Sequence, residues 1–269
     1  MVELAKDKYE MLLEPVLKMP INTLVARSVI CGHVDGHIYV DSHELPQTFY
    51  IVHPYGMSYL GGKSNNETFN KGLFQYFSFG SSKRKKDEWL QAYPRDWDVL
   101  LNELVDGQLA VLHQRVNLKF NADKFYNIYE QIDKTQYEVT STPTDILFKM
   151  NGTVVAKDFW RNSEQFSTFG KAFTVWVDGK PASTAFAATR HGNQLEIGIE
   201  TLEAYHGRGL AYLACAKLIK YCLDNQLEPV WSCRYGNTAS LNLSKKLGFT
   251  EILRLPFYHL PKGHLEIKS

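Results

Sequence analysis

The sequence predicts a mixed α/β fold of the α+β kind, arranged as two domains, and three observations carry this. In the second half, apolar runs at residues 172–177 and 182–188 flank Asp178-Gly179-Lys180, and Asp-Gly between such runs is a strong hairpin signal. The pattern from there on reads β-β-β-α-β-α-β, hairpins first and helical crossovers later, which implies a mixed sheet with helices on its faces. In the first half, residues 36–41 and 48–53 are aromatic and β-branched strand candidates around a turn at Leu45-Pro46.

Residues 1–20 carry Glu3, Lys6, Asp7, Lys8, Glu10 and Glu14 among leucines, which predicts an amphipathic helix and no secretory segment. A third strand is expected at residues 57–60 and a helix over 67–79. The basic run Ser81-Ser-Lys-Arg-Lys-Lys86 reads as a solvated loop. Residues 97–105 are helical in pattern, 115–120 alternate like a strand, and 123–134 are again helix-like. The polar cluster Thr140-Ser-Thr-Pro-Thr-Asp145 reads as a loop. The boundary is therefore placed between Phe120 and Thr140, giving an N-terminal α/β domain over 1–130 and a C-terminal domain over 131–269. In the latter, a third strand at 194–201 follows a turn at His191-Gly192-Asn193. A helix over 209–225, a strand at 230–233, a helix over 237–247 and a strand from Phe249 complete the order. No internal repeat is visible at the residue level.

Apolar residues make up 44% of the 269 and charged ones 22%, the balance of a folded globular protein and not of a disordered chain. Thirty basic residues against 29 acidic ones leave a charge of +1, so no global field exists to hold a nucleic acid or an anionic membrane. Any anion must be bound locally. No apolar run is long enough to cross a bilayer, and a cytoplasmic location follows by elimination. Cys31, Cys215, Cys222 and Cys233 lack C-x-x-C spacing and read as free core thiols. His33, His37 and His43 suggest a metal cluster, but Gly36 breaks any helix that would align them, and no metal is expected. Oligomeric state is not readable.

The local anion site is specific. Residues 195–211 form a strand, a glycine turn (Tyr205-His206-Gly207-Arg208-Gly209) and the start of a helix at Leu210-Ala211. Gly207 and Gly209 let the backbone turn tightly, so that successive N–H groups converge at the positive end of the helix, where a pyrophosphate fits. Alone, such a turn reads more readily as a mere turn than as a binding site. A second segment, Asn237-Thr-Ala-Ser240 leading to Lys246-Leu-Gly-Phe249, starts on an N-cap residue and ends on a C-cap glycine.

Together, His206-Gly-Arg-Gly-Leu-Ala211 and Asn237-x-x-Ser240 with Lys246-Leu-Gly-Phe249 resemble the GNAT superfamily of acyl-CoA N-acyltransferases, over roughly residues 140–260. More narrowly, Phe159-Trp160, Phe166, Gly170, Glu196-Ile-Gly-Ile-Glu-Thr201 and Val230-Trp-Ser-Cys233 are similar to the subfamily that includes the zwittermicin A resistance acetyltransferase. The first half, with Val40-Asp41, His53-Pro-Tyr-Gly-Met57 and Trp89, is similar to the same subfamily's N-terminal region, either a degenerate GNAT-like half or an acceptor-binding domain. It lacks a matching glycine turn, since Gly61-Gly62 leads into Lys-Ser-Asn-Asn.

The resemblance implies an acetyl-CoA-dependent N-acetyltransferase acting on a primary amine of a small molecule, with acetyl-CoA as cosubstrate and no metal. It implies that His206, Gly207, Arg208, Gly209, Leu210 and Ala211 hold the pyrophosphate, chiefly through backbone N–H groups. Ile199 and Thr201 would hold pantetheine and the thioester carbonyl where the superfamily splays two strands. Asn237 and Ser240 would approach the CoA arm, with a plain helix cap as the alternative for Asn237. Two departures stand out. Ala204 replaces the usual arginine or glutamine before the turn, and Ser244 occupies the position of the usual general-acid tyrosine.

An alkylamine with a pKa of about 10 is protonated at neutral pH and needs a base. Glu196 and Glu200, at i and i+4 on one strand face with Gly198 between them leaving room for substrate, are the candidates; a charged, exposed sheet face is the alternative. Two other functions fit the same residues: a non-catalytic acyl-CoA sensor, and a transferase of a longer acyl or an aminoacyl group.

Overall fold

The computed structural model describes residues 1–78, 81–132 and 137–263. Along the chain, β1 (Val2–Glu3), a 3-10 turn (Lys6–Leu12), α1 (Leu13–Leu17) and α2 (Leu24–Ile30) precede β2 (His37–Val40), β3 (Thr48–Val52) and β4 (Met57–Gly62). Then come α3 (Glu67–Phe77), β5 (Glu88–Tyr93), α4 (Trp97–Asp106) and β6 (Val111–Phe120). The second half holds α5 (Ala122–Tyr129), β7 (Glu138–Ser141), α6 (Thr144–Leu147), α7 (Ser163–Phe169), β8 (Ala172–Val177), β9 (Lys180–His191) and β10 (Gln194–Thr201). It closes with α8 (Leu210–Asp224), β11 (Glu228–Arg234), α9 (Thr238–Lys246) and β12 (Phe249–Leu260).

The chain forms two compact units. One comprises Met1–Val116, Arg234–Gly236 and Arg254–Ser269; the other comprises Asn117–Cys233 and Asn237–Leu253. In the first unit the strand order is β1-β2-β3-β4-β5-β12, antiparallel except for the parallel pair β4–β5. In the second it is β7-β8-β9-β10-β11, antiparallel except for the parallel pair β10–β11. Each unit thus repeats one plan: hairpin strands, a helix, a parallel strand, a second helix and a share of β12. The repeat is structural, not a matter of residue identity.

In the first unit α3 buries Phe69, Leu73, Tyr76 and Phe77, at i, i+4, i+7 and i+8, in a core with Tyr50, Leu60, Trp97 and Tyr258. In the second, α8 buries Leu210, Ala214, Leu218 and Cys222 and packs on β8, β9 and β10, which holds its N-terminus in place. Cys215, Cys222 and Cys233 are buried and outside any disulfide, and burial pushes Cys222 up to about 12.

Several expectations are corrected. The N-terminal segment is a strand, a 3-10 turn and a short helix instead of one amphipathic helix, because Val2 and Glu3 pair with Val40 and Tyr39. The Thr140 cluster is strand and helix: Thr142, Thr174 and Thr184 share side-chain hydrogen bonds of 2.8 Å, so their polarity is satisfied inside. The basic run is not a solvated loop throughout, since Arg84 is 2% exposed. Phe79 of the expected helix over 67–79, and residues 133 and 134 of the one over 123–134, lie outside the described residues.

Candidate active site

Between β10 and α8 the chain makes a 3-10 turn (Glu203–Tyr205) and then His206-Gly207-Arg208-Gly209. Gly207 and Gly209 have φ of 76° and 75°, the left-handed region, and a Cβ at either would meet nothing within 4 Å. The turn is therefore open outward. Gly209 is the N-cap of α8 and no side chain caps the helix; Tyr212 N–H donates back to Gly209 O at 3.1 Å. The first N–H groups of a helix lack intrahelical acceptors, so those ahead of Tyr212 are open at this end.

Side chains fix the turn. The His206 ring donates from Nε2 to Thr201 O at 2.8 Å, tying the turn to the end of β10. Its own N–H donates to Glu203 O at 3.1 Å, so it is not among the open donors, contrary to the expectation from sequence. Arg208 donates to Tyr137 Oη at 3.2 Å and lies over the rings of Tyr137 and Tyr205, 5.7 and 5.5 Å from their centroids. Leu210 is buried under the turn, and Ala211 is half-buried beside it.

Next to the turn the sheet opens. The parallel ladder between β10 and β11 covers only Gln194, Glu196 and the residue between them, opposite Glu228 to Val230. Beyond Glu196, β10 runs on to Thr201 paired only with β9, and β11 runs on past Val230. The facing backbone edges of residues 197–201 and 231–233 thus border a slot that starts in the sheet and ends at the turn. The first unit differs at both points. There β4 and β5 pair over five successive residues, from Met57↔Trp89 to Gly61↔Tyr93, and Asn66 caps α3 by accepting Phe69 N–H at 3.0 Å.

The two glutamates share a face, as strand alternation requires. The bulge between Glu196↔Thr189 and Ile197↔Ala187 puts its extra residue, Ala188, in β9 and leaves β10 regular. Gly198 does not leave room for a substrate: a Cβ there would lie 2.6 Å from the Phe186 ring, which fills the place. Glu196 is 7% exposed and accepts Ser232 Oγ–H at 3.1 Å. Glu200 accepts the N–H groups of Thr153 (3.2 Å) and Val154 (3.0 Å), so its carboxylate anchors a loop. It also lines a cavity of about 270 Å³ whose other walls include Leu147, Val155, Ala182, Phe186 and Leu202.

Asn237 caps α9, its Oδ1 accepting Ser240 N–H at 3.1 Å, and Ser240 Oγ accepts the indole N–H of buried Trp231 at 3.1 Å. Ser240 thereby ties α9 to β11, while Asn237 closes the helix end. Thr201 Oγ1 shares a 2.7 Å hydrogen bond with Ser183, and Ile199 is half-buried on the same strand. Ser244 is fully buried and donates to Leu241 O at 2.8 Å. Sequence reasoning missed Ser232, Tyr137 and the Gly152 loop. Ser232 alone had a signal, standing two residues past Val230 on a strand parallel to that of Glu196.

A family model for GNAT acetyltransferases matches residues 14–258. The chain belongs to the GNAT acetyltransferase family. It is 25% identical over 265 residues to the Bacillus subtilis (strain 168) protein "Uncharacterized N-acetyltransferase YdfB", covering 96% of this chain and 97% of that one. Among solved structures, a GCN5-related N-acetyltransferase-like protein from Streptococcus suis 89/1591 superposes with a TM-score of 0.72 at 19% identity, over 94% of this chain and 99% of the other. A tandem GNAT protein from the clavulanic acid biosynthesis pathway gives 0.62 at 11% identity, over 98% and 99%. The mixed-sheet GNAT fold expected from the glycine turn is thus the fold of the chain, and the protein is an acetyltransferase. GNAT acetyltransferases generally use acetyl-CoA. Among the described residues no cluster of His, Cys, Asp and Glu is placed to hold a metal, and no helix is long and apolar enough to cross a membrane.

Proposed function

We propose that this GNAT acetyltransferase transfers the acetyl group of acetyl-CoA to the primary amine of a small molecule by direct attack in a ternary complex. One observation carries the reading: β10 and β11 part beside an uncapped glycine turn at the start of a 15-residue helix. The N–H groups of Gly207, Arg208, Gly209, Leu210 and Ala211 fit a pyrophosphate, because Gly207 and Gly209 bring no Cβ to the turn and it sits at the positive end of α8. The slot along Ile199 and Thr201 fits pantetheine, and its unladdered N–H groups would stabilise a tetrahedral oxyanion. His206 acts as a positioning residue, Ser240 holds the far wall through Trp231, and Asn237 caps the helix that carries Ser240.

Acetyl-CoA supplies the acetyl carbonyl and a thiol leaving group. Glu196 takes one proton of the acceptor ammonium, the neutral nitrogen bonds to the carbonyl carbon, the C–S bond breaks with the electron pair leaving on sulfur, and the second proton lost from nitrogen goes to the thiolate or to water. Because a thiol has a pKa near 8.5, the thiolate needs little help from an acid, consistent with a Ser244 hydroxyl committed to Leu241 O. The apolar cavity beside Glu200 suits the body of a small apolar amine. Glu200 holds the loop over it and has no proton-transfer role. The N-terminal unit, with its closed β4–β5 ladder, is not a second acetyl-CoA site.

The test is the pH dependence of turnover, followed by thiol release with a panel of amines. Glu196→Gln is expected to lower kcat/KM by roughly 100-fold below the acceptor's pKa and to recover part of it above, where the amine is already neutral. Glu200→Gln is expected to raise KM for the acceptor and leave the pH profile in place. If both variants keep the wild-type profile and rate, no carboxylate on β10 is the base.

A further inference from the structure

The basic run Ser81-Ser-Lys-Arg-Lys-Lys86 is built into the first unit in a way its composition does not suggest. Arg84 turns inward, donating from Nη1 to Leu260 O at 2.7 Å and from Nη2 to Phe77 O at 3.1 Å. That anchors the run at the C-terminal end of α3. Lys83, Lys85 and Lys86 then line a cavity of about 570 Å³, twice the volume of the one beside Glu200 and within the range of small-molecule sites. The cavity sits where β3 ends and β5 begins, at the end of α3 away from the Asn66 cap, so it is not the counterpart of the glycine turn.

Its acids are already engaged. Glu3 pairs with His37 at 2.7 Å and Asp35 with Lys6 at 2.8 Å. Buried Glu88 accepts the phenols of Tyr50 and, at 2.6 Å, of Tyr76. The lysines are not: Lys85 donates to Ser82 O at 2.6 Å, Lys83 lies 5.9 Å above the Tyr39 ring, and no carboxylate of the described residues forms an ion pair with any of the three. The rest of the wall joins Ser82, His37 and His53 to an aromatic and apolar part, where the Tyr39 and Tyr76 centroids lie 5.4 Å apart at 55° beside Val52 and Pro54. The Glu88 hydrogen bond fixes the Tyr76 ring, so this surface is preorganised.

From this juxtaposition we infer that the N-terminal unit carries a small-molecule site of its own, for a compound that joins an oxyanion (carboxylate or phosphate) to an aromatic ring. The anion meets the lysines, which concentrate positive charge over a partly enclosed surface, and the ring stacks against Tyr39 and Tyr76.

Calorimetry on the full chain with phenyl phosphate, phenylacetate and, as the neutral control, benzyl alcohol tests it. At least one aryl anion is expected to bind with a Kd on the order of 1 mM or tighter, given the small size of the probes. Binding of phosphate alone or of carboxylate alone names the class. Lys83→Ala/Lys86→Ala is expected to weaken it roughly tenfold or more with an unchanged melting temperature, and Tyr39→Leu to weaken it independently of charge. Gly207→Glu is expected to leave it unchanged, which separates this site from the glycine turn. The inference is overturned if neither anion binds by about 10 mM, if benzyl alcohol binds as well, if the lysine variant binds as tightly, or if Gly207→Glu abolishes binding.

Discussion

A carboxylate placed on the glycine turn separates the backbone's role from the fold's. In Gly207→Ala the new Cβ meets nothing within 4 Å, so the cost comes only from holding an L-residue at a φ of 76°. That is about 1–2 kcal/mol, offset by about 0.4–1 kcal/mol from a stiffer unfolded chain. A net loss of about 1 kcal/mol lowers the melting temperature by about 2–4 °C in a chain of this size. Gly207→Glu carries the same backbone term and adds one negative charge. At about 5 Å from a phosphate, the repulsion is about 3 kcal/mol at an effective dielectric of 20 and about 1 kcal/mol in bulk water. The exposed turn, partly covered by ligand, lies between these, so Gly207→Glu is expected to bind acetyl-CoA roughly 30-fold more weakly than Gly207→Ala. Titration calorimetry gives the ratio, and melting curves check that the two variants are equally folded. Equal affinities at equal stability would refute the assignment of the pyrophosphate to this turn.

Acetyl-CoA should bind with a stoichiometry near one per chain, because among the described residues β10 and β11 part where β4 and β5 stay paired, and α8 starts on a glycine turn without a side-chain cap where Asn66 caps α3; a calorimetric value near two would contradict this. Ser244→Ala should keep turnover within roughly threefold, since a general acid would contribute 100-fold or more; steady-state kinetics at fixed acetyl-CoA decides. His53 should make the fold acid-sensitive. Burial holds its pKa down at about 3, and Nδ1 accepts Tyr55 N–H at 3.0 Å. The native ring stays neutral while the unfolded one protonates below its ordinary value of 6.5, so stability is complete above pH 6.5 and falls towards pH 3. The loss is about 2 kcal/mol by pH 5, an upper figure from 1.36 kcal/mol per pH unit. In His53→Asn, denaturant unfolding at pH 7 and pH 5 should show that much less pH dependence; an unchanged slope would assign the sensitivity elsewhere.

The glycine turn was legible because its signal is local. Asp178-Gly179 likewise marked a hairpin, and both residues have positive φ, 50° and 71°, as such a turn requires. The period of α8 marked its buried face. What escaped was set by distant partners. β5 was missed because Glu88 and Gln91 look out of place in a buried strand until Tyr50 and Tyr76 are seen to donate to Glu88. The slot depends on where a parallel ladder stops, and no window of sequence records that. Arg84 reads as one more charge in a basic run, yet its acceptors are Phe77 O and Leu260 O, the latter 176 positions away. Glu200 was weighed as a base, but the N–H groups that occupy it belong to a loop 46 and 47 residues earlier.

β12 belongs to both units, with Phe249 to Leu253 in one and Arg254 onward in the other. Its later part pairs with β5 and puts Tyr258 and Leu260 into the first unit's core. A fragment ending near residue 130 would therefore lack a core strand, and it would present β5 as an unpaired edge open to other chains. The pairing of β12 with β5, Tyr258 opposite Leu90, also spans the whole second unit along the sequence, a long-range closure of the kind that slows folding. The two halves are hence not interchangeable modules: neither can be lost, swapped or expressed alone without unravelling the strand they share.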